Sequence, residues 1–323
     1  VVEGEKKAST VDDIMKVRAF EEIEISQSNG RTRAFMKIQD GCDRFCTYCI
    51  IPYARGGKVR SRDMESIVNE AKTLAENGYE EVVLTGIHVA SYGKDLKDED
   101  TKLLDVIKQI NNIEGIKRIR TSSVEPILFT DEFVSEVSKM EKVMPHYHLS
   151  LQSGCDETLK RMNRRYTTAQ YKEIVDKLRK EIPNVAITTD VIVGFPGETE
   201  EEFEKTYNFL KDIELSQMHI FKYSPRKGTK AADMENQVSP QIKHERSEKL
   251  LQLNKENFMK FASKSVGKEF EVLFEQKVGD DKYEGLTPNY LKTFVTCDED
   301  ICGKIMKVKI TEVKDEYVEG ILV

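Results

Sequence analysis

Between Ala34 and Tyr223 short apolar runs alternate with longer segments whose apolar residues recur at helical spacing. That alternation predicts repeated strand–helix units built on a parallel sheet. Strands are expected at 34–39, 81–85, 118–122, 146–151, 186–193 and 217–223, with helices between them at 64–77, 103–110, 131–138, 168–180 and 199–210. Gly78 and the Pro183-Asn184 pair supply stop signals. Six such units with right-handed crossovers form either a partial barrel or an open doubly wound sheet, and periodicity does not choose between them. In both, ligands bind at the carboxyl ends of the strands.

After Tyr223 the period changes. Ser239-Pro240 predicts the start of a charged amphipathic helix running to about Lys264, with proline at the first helical position. From Val266 onward the segments 269–274, 291–296, 304–311 and 317–322 alternate apolar and polar residues between Gly and Asp turns, the pattern of a small all-β, OB-like barrel. Upstream, Asn29-Gly30 between two short alternating runs predicts a hairpin. The expected organisation is a linker and hairpin over 1–33, an α/β core with its bridging helix over 34–260, and a β module over 261–323.

With 39% hydrophobic and 33% charged residues and no low-complexity tract, the chain reads as globular rather than disordered. No run is long and apolar enough to span a membrane, so no membrane partner and a cytoplasmic location are expected. The polar start, Val1-Val2-Glu3 without Met, reads as a linker cut from something longer. A net charge of -7 argues against a polyanion partner until its distribution is considered. Arg44, Arg55, Lys58, Arg60 and Arg62 follow the first strand, Lys160, Arg161, Arg164 and Arg165 follow the fourth, and Lys222, Arg226, Lys227 and Lys230 attend the sixth. All three clusters are therefore expected around one mouth. The tail is acidic, which leaves the mouth to supply more of the attraction for phosphates.

Six cysteines are too few for a disulfide scaffold, and three of them fall within eight residues as Cys42-x3-Cys46-x2-Cys49. This trio directly follows the first strand. In a cubane each iron takes one thiolate, so three local cysteines leave one iron open. Structural zinc prefers four ligands, and Cys155, Cys297 and Cys302 offer no neighbouring pair.

The CxxxCxxC spacing with Tyr48 before the last cysteine resembles the signature of the radical S-adenosylmethionine (SAM) superfamily. The segments 41–56, 84–93, 151–154, 159–167, 190–198 and 223–229 resemble its methylthiotransferase branch, and 284–290 and 303–311 are similar to the RNA-binding TRAM domain. The resemblance implies an α/β fold, a partial (βα)6 radical SAM barrel followed by a small all-β OB-like TRAM domain. Ile50-Ile51-Pro52-Tyr53-Ala54-Arg55-Gly56 and Thr85-Gly86-Ile87-His88 resemble the MtaB type most. That type installs a 2-methylthio group on N6-threonylcarbamoyladenosine beside the tRNA anticodon, at tRNA position 37. The nearest alternatives are the MiaB type, acting on isopentenyladenosine in tRNA, and the RimO type, acting on a ribosomal protein aspartate. A different class is an RNA-binding module with structural zinc.

What the resemblance implies for residues is specific. Cys42, Cys46 and Cys49 would hold a 4Fe-4S cluster whose open iron binds SAM, which is then cleaved to methionine and a 5'-deoxyadenosyl radical. Tyr48, Gly86, Gln152, Ser153, Arg164 and Gly194 are candidate SAM contacts, and His88, Arg55 and Arg226 candidate substrate contacts. Plainer readings stand beside these. Gly194 could simply build a strand-to-helix turn, Gln152 and Ser153 could be satisfied strand-end groups, His88 a loop residue and Cys155 a helix start. No catalytic acid or base is assigned. The family also carries an amino-terminal domain with a second, auxiliary cluster, so this chain is expected to be the SAM-cleaving, carboxyl-terminal part. Its expected partners are a tRNA anticodon stem-loop and an electron donor such as flavodoxin.

Overall fold

The structure is a computed structural model describing residues 13–22, 32–96 and 101–323. The hairpin expected at Asn29-Gly30 lies outside them. Six parallel strands alternate with helices: β1 (Arg33–Asp40), α1 (Met64–Glu76), β2 (Glu81–Gly86), α2 (Leu103–Asn111), β3 (Arg118–Thr121), α3 (Asp131–Val137), β4 (His146–His148), α4 (Thr168–Glu181), β5 (Ala186–Val193), α5 (Glu200–Ile213) and β6 (Gln217–Lys222). Strands β1, β2 and β3 are neighbours in one sheet and β4, β5 and β6 in a second. Parallel bridges between Ile119 and Val143 and between Val124 and Leu149 carry the pairing from β3 to β4. The strands thus follow one another in chain order, without the reversal that defines a doubly wound sheet, and form a partial six-unit barrel. Strand β4 is shorter than expected because the chain beyond His148 pairs only through isolated bridges, Gln152 with Val191 being the last.

Capping explains where the helices start. Asp63 accepts from the amides of Glu65 and Ser66, and Thr167 and Thr199 form capping boxes with Gln170 and Glu202. The outer faces of the strands, through Ala34, Met36, Ile38, Val82, Leu84, Ile119, Ile187 and Val191, bury against these helices in one core. The opposite face looks into the barrel and is mostly polar. Period-two alternation therefore places Arg33, Gln39, Glu81, Arg118, Arg120, His146, His148 and Asp190 inside.

Ser239 caps α6 (Pro240–Ser263), and proline occupies its first turn as expected. The chain ends in a closed five-stranded barrel of β7 (Glu269–Lys277), β8 (Lys282–Leu286), β9 (Lys292–Thr296), β10 (Ile305–Val313) and β11 (Val318–Leu322), ordered β9-β11-β10-β7-β8. Strand β8 escapes a sequence reading because Gly285 interrupts its alternation. A Cβ there would stand 2.5 Å from the Leu273 carbonyl oxygen, so the close approach of β7 requires glycine.

The small barrel seats against the interior of the large one around Glu81, whose side chain is fully buried. Arg120 Nε lies 2.8 Å and Arg118 Nη1 3.6 Å from the Glu81 carboxylate, with Arg33 at 3.8 Å. Held this way, Arg120 donates to the carbonyls of Thr287 and Pro288 and Arg118 to those of Glu271 and Leu286. Arg33 pairs with Glu275, and His146 stacks on Tyr290 with ring centres 4.2 Å apart. Burial, reinforced by Arg120, pushes the pKa of His146 well down, so it packs as a neutral ring. Removing one partner of a buried ion group typically costs about 3–5 kcal/mol. Glu81→Ala is accordingly expected to lower the urea midpoint by an amount in that range, whereas Lys307→Ala, in an exposed pair with Glu269, is expected to change it little.

Candidate active site

The cysteine loop leaves β1 through Gly41, at φ +72°, where a Cβ would stand 1.8 Å from the Lys58 carbonyl oxygen. Only glycine makes this exit. The loop is then held at several points. The Thr47 amide donates to the Met162 carbonyl at 3.1 Å, Asn163 Nδ2 donates to the carbonyls of Arg44 and Phe45, and the Ala231 amide donates to the Thr47 carbonyl. Cys42, Cys46 and Cys49 are all free and partly exposed. They open on one chamber of about 320 Å³ whose other lining includes Arg44, Tyr48, Gly86, His88, Glu125 and Arg164. Burial pushes the Cys42 thiol up to about 11 and raises that of Cys49 as well.

At the centre of this chamber stands Glu125, a residue that no motif singled out. Its carboxylate lies 2.8 Å from His88 Nε2, 2.9 Å from Arg44 Nε and 3.1 Å from Arg164 Nη1. Burial alone would raise its pKa, but the hydrogen bond to His88 and the charges of Arg164 and Arg44 outweigh that and bring it down to about 2. Arg164 passes the effect on: its Nη1 donates to Cys46 Sγ at 3.3 Å and its Nε to the Tyr166 hydroxyl at 2.9 Å. His88 is held from the far side by Ser91 Oγ at 2.6 Å, while its amide donates to Gln39 Oε1 at 2.7 Å. Gln39 also donates to the carbonyls of Asp40 and Gly41 at the start of the cysteine loop.

The other expected site residues divide. Tyr48 is edge-on to Phe195 at 6.5 Å, in an apolar group with Met162 and Tyr223 beside the loop. Gly86 lines the chamber, and Gly194, at φ +70°, closes the end of β5 over the Lys243 side chain. Gln152 has φ +75° and joins β5 through its backbone. Ser153 is fully buried and paired with Thr206 of α5 and with the Cys155 amide, and neither it nor Gln152 lines the chamber. Arg55 and Arg226 are exposed and do not line the chamber. The first basic cluster also needs correcting. Arg44, Arg60 and Arg62 are buried and paired with Glu125, Asp40 and Glu70, because spacing reveals charge but not which charges fold inward. Lys58, Arg165, Lys222, Arg226, Lys227 and Lys230 remain exposed.

The donor set fits an iron–sulfur cubane better than a single ion. Among the described residues no three His, Cys, Asp or Glu converge on a point where one metal ion could sit. A cubane places each thiolate on its own iron, so its ligands need not converge. Cys155 stands at the start of a short helix with its thiol turned to Glu157, and Cys297 and Cys302 lie in the small barrel, so none joins the trio. Because the pKa of Glu125 is depressed from 4.5, its ion pairs stabilise the fold fully above about pH 4.5, and that contribution is lost as pH falls towards about 2. The shift corresponds to up to about 3 kcal/mol. Glu125→Gln should therefore lower the urea midpoint at pH 7, with the gap to the parent protein closing below about pH 4.5.

The profile of the Radical SAM superfamily matches residues 36–210 and that of the TRAM domain residues 263–323. The chain is 44% identical over 315 residues to the threonylcarbamoyladenosine tRNA methylthiotransferase MtaB of Bacillus subtilis (strain 168), covering 96% of this chain and 69% of that one. It is 42% identical over 306 residues to a tRNA-2-methylthio-N(6)-dimethylallyladenosine synthase of Thermoanaerobacter pseudethanolicus, covering 94% and 64%. The chain thus spans about two thirds of the length of these relatives. Among solved structures, coproporphyrinogen III oxidase (HemN) from Escherichia coli aligns over 82% of this chain and 68% of its own, with a TM-score of 0.52 at 14% identity. At that identity the likeness concerns the fold alone. The matched profiles, the order of the two barrels and the three-cysteine chamber agree: the chain belongs to the radical SAM superfamily, in its methylthiotransferase branch, and ends in a TRAM domain.

Proposed function

We propose that this chain is the SAM-cleaving and RNA-binding portion of a tRNA methylthiotransferase that places a 2-methylthio group on N6-threonylcarbamoyladenosine at tRNA position 37. The observation that carries this reading is the trio Cys42, Cys46 and Cys49 opening on a chamber in which Arg164 already donates to Cys46 Sγ. Membership in the superfamily implies a 4Fe-4S cluster and SAM. Bound there, they would supply a 5'-deoxyadenosyl radical. The chain's own residues supply the surroundings: the three thiolates bind the cluster, Tyr48 and Gly194 bound the SAM groove, and Glu125 orients Arg164 towards Cys46 Sγ and the chamber. A hydrogen bond to a ligand sulfur is one of the levers that set a cluster's potential.

Insertion of sulfur calls in addition for a second, auxiliary cluster. Among the described residues the remaining cysteines are scattered, so this reading assigns that cluster to a further part of the enzyme. Electrons would come from a donor such as flavodoxin. The exposed Arg226, Lys227 and Lys230 beside the cysteine loop supply positive charge for an anticodon stem-loop, and no helix among the described residues is long and apolar enough to cross a membrane. Because the dimethylallyladenosine-type relatives are almost as similar, their nucleoside is the second reading.

Anaerobic reconstitution should load about four irons per chain with matching sulfide, and Cys46→Ala should abolish both. One zinc per chain would overturn the cluster reading. Arg164→Met should lower the midpoint potential of the loaded cluster, read by a redox titration followed by electron paramagnetic resonance. Mass spectrometry of tRNA nucleosides from cells lacking the full gene should lose 2-methylthio-N6-threonylcarbamoyladenosine. Loss of the dimethylallyl derivative instead would reverse the subtype.

A further inference from the structure

Strand β6 ends the parallel series and, among the described residues, pairs only with β5. Its interior side chains include His219 and Phe221, in register with Asp190 and Ile192 of β5. Phe221 is 53% exposed, an aromatic ring left open on the inner face of a barrel at the strand bordering its gap. A large exposed ring in such a place presents a flat apolar face to any planar group that enters. Further into the barrel His148 Nε2 lies 3.3 Å from the Asp190 carboxylate, its Nδ1 lies 3.1 Å from Thr188 Oγ1, and its ring stacks on His219 with centres 5.7 Å apart. Burial, and then the neighbouring His148, lower the pKa of His219, so at neutral pH it offers one hydrogen-bond donor and one acceptor. The face also adjoins the cysteine loop. Ile192 packs against the group of Met162, Phe195 and Tyr223 that holds Tyr48.

We propose that this inner face of β5 and β6 holds the unstacked adenine base of the RNA substrate, with Phe221 as the stacking surface and His148, Asp190 and His219 as hydrogen-bonding groups at its edge. The proposal rests on the tRNA reading above and assigns to it positioning residues that the cysteine motif does not contain. Its chemistry matches RNA recognition elsewhere, in which a base splayed out of its strand stacks on an aromatic side chain and hydrogen-bonds through its edges. The exposed Arg226, Lys227 and Lys230 follow β6 directly and supply positive charge for the phosphates around such a base. An aspartyl side chain, the substrate of the protein-modifying branch, offers no ring to Phe221 and would set its carboxylate against Asp190.

The test is binding of anticodon stem-loop RNA to the reconstituted protein by fluorescence anisotropy. An intact stem-loop is compared with one that is abasic at the position 3' of the anticodon. Stacking of one base on an aromatic side chain corresponds to roughly 5- to 150-fold in affinity. Phe221→Ala should weaken binding of the intact RNA by a factor in that range and of the abasic RNA far less, while Phe221→Tyr should restore the difference. Phe221→Leu, which keeps apolar bulk without a ring, should behave like the alanine variant and serves where the latter is poorly folded. Equal weakening of both RNAs, or of neither, would overturn the proposal while leaving the tRNA reading in place. Failure of the parent protein to prefer the stem-loop over an unrelated hairpin of the same length would overturn the tRNA reading itself.

Discussion

A buried carboxylate inside a barrel has to be met by opposite charge, and Glu81 is met by three guanidinium groups from two neighbouring strands. The consequence reaches beyond local neutrality. Arginines fixed in this way turn their remaining N–H groups onto backbone carbonyls of the TRAM domain, so the two barrels share a polar, hydrogen-bonded seat rather than an apolar one. That seat lies near the amino ends of β2 and β3. The carboxyl ends, where the cysteines lie, stay open for ligands.

The same device recurs at the open end. Glu125 gathers Arg44, His88 and Arg164 as Glu81 gathers Arg33, Arg118 and Arg120, and in both places a single carboxylate orients several donors towards a third party. At the seat the third party is a domain; at the mouth it is Cys46 Sγ. Gln39 adds a neutral version of this, tying the exit of β1 to the backbone of His88 in the loop after β2. The cysteine loop is therefore braced by β1, by the loops after β2 and β3, and by the turn around Met162 and Asn163. Such bracing suits a cluster whose ligands must hold their places without converging on one ion.

Charge is distributed by burial rather than by sequence abundance. Several arginines of the cysteine segment are consumed in bracing, and the exposed positive charge near the mouth comes largely from the segment that follows β6 and from Lys58 and Arg165. An acidic protein can thus present a basic approach to one end of its barrel. The TRAM domain, acidic overall, is held in a fixed orientation by its seat and can contribute shape where it contributes little attraction.

Much was determined by the sequence alone, for reasons of local physics. Strand and helix positions followed from period and from punctuating residues such as Gly78, Pro183-Asn184 and Ser239-Pro240, and the cysteine spacing carried its chemistry within one loop. Tertiary structure decided whatever depends on which residues meet across the chain. Sequential strand order chose the partial barrel over the doubly wound sheet. Glu125 gave no signal because a lone glutamate beyond a strand end is indistinguishable from any solvated acid until Arg44, His88 and Arg164 surround it. Ser153 turned to α5 rather than to the chamber, and Phe221 and His219, which read as ordinary alternating residues of a strand, gained their meaning only when register set them beside Asp190 and Ile192 on an open inner face. Motifs record chemistry that is contiguous in the chain, whereas a site assembled from six strands depends on contacts that no single segment contains.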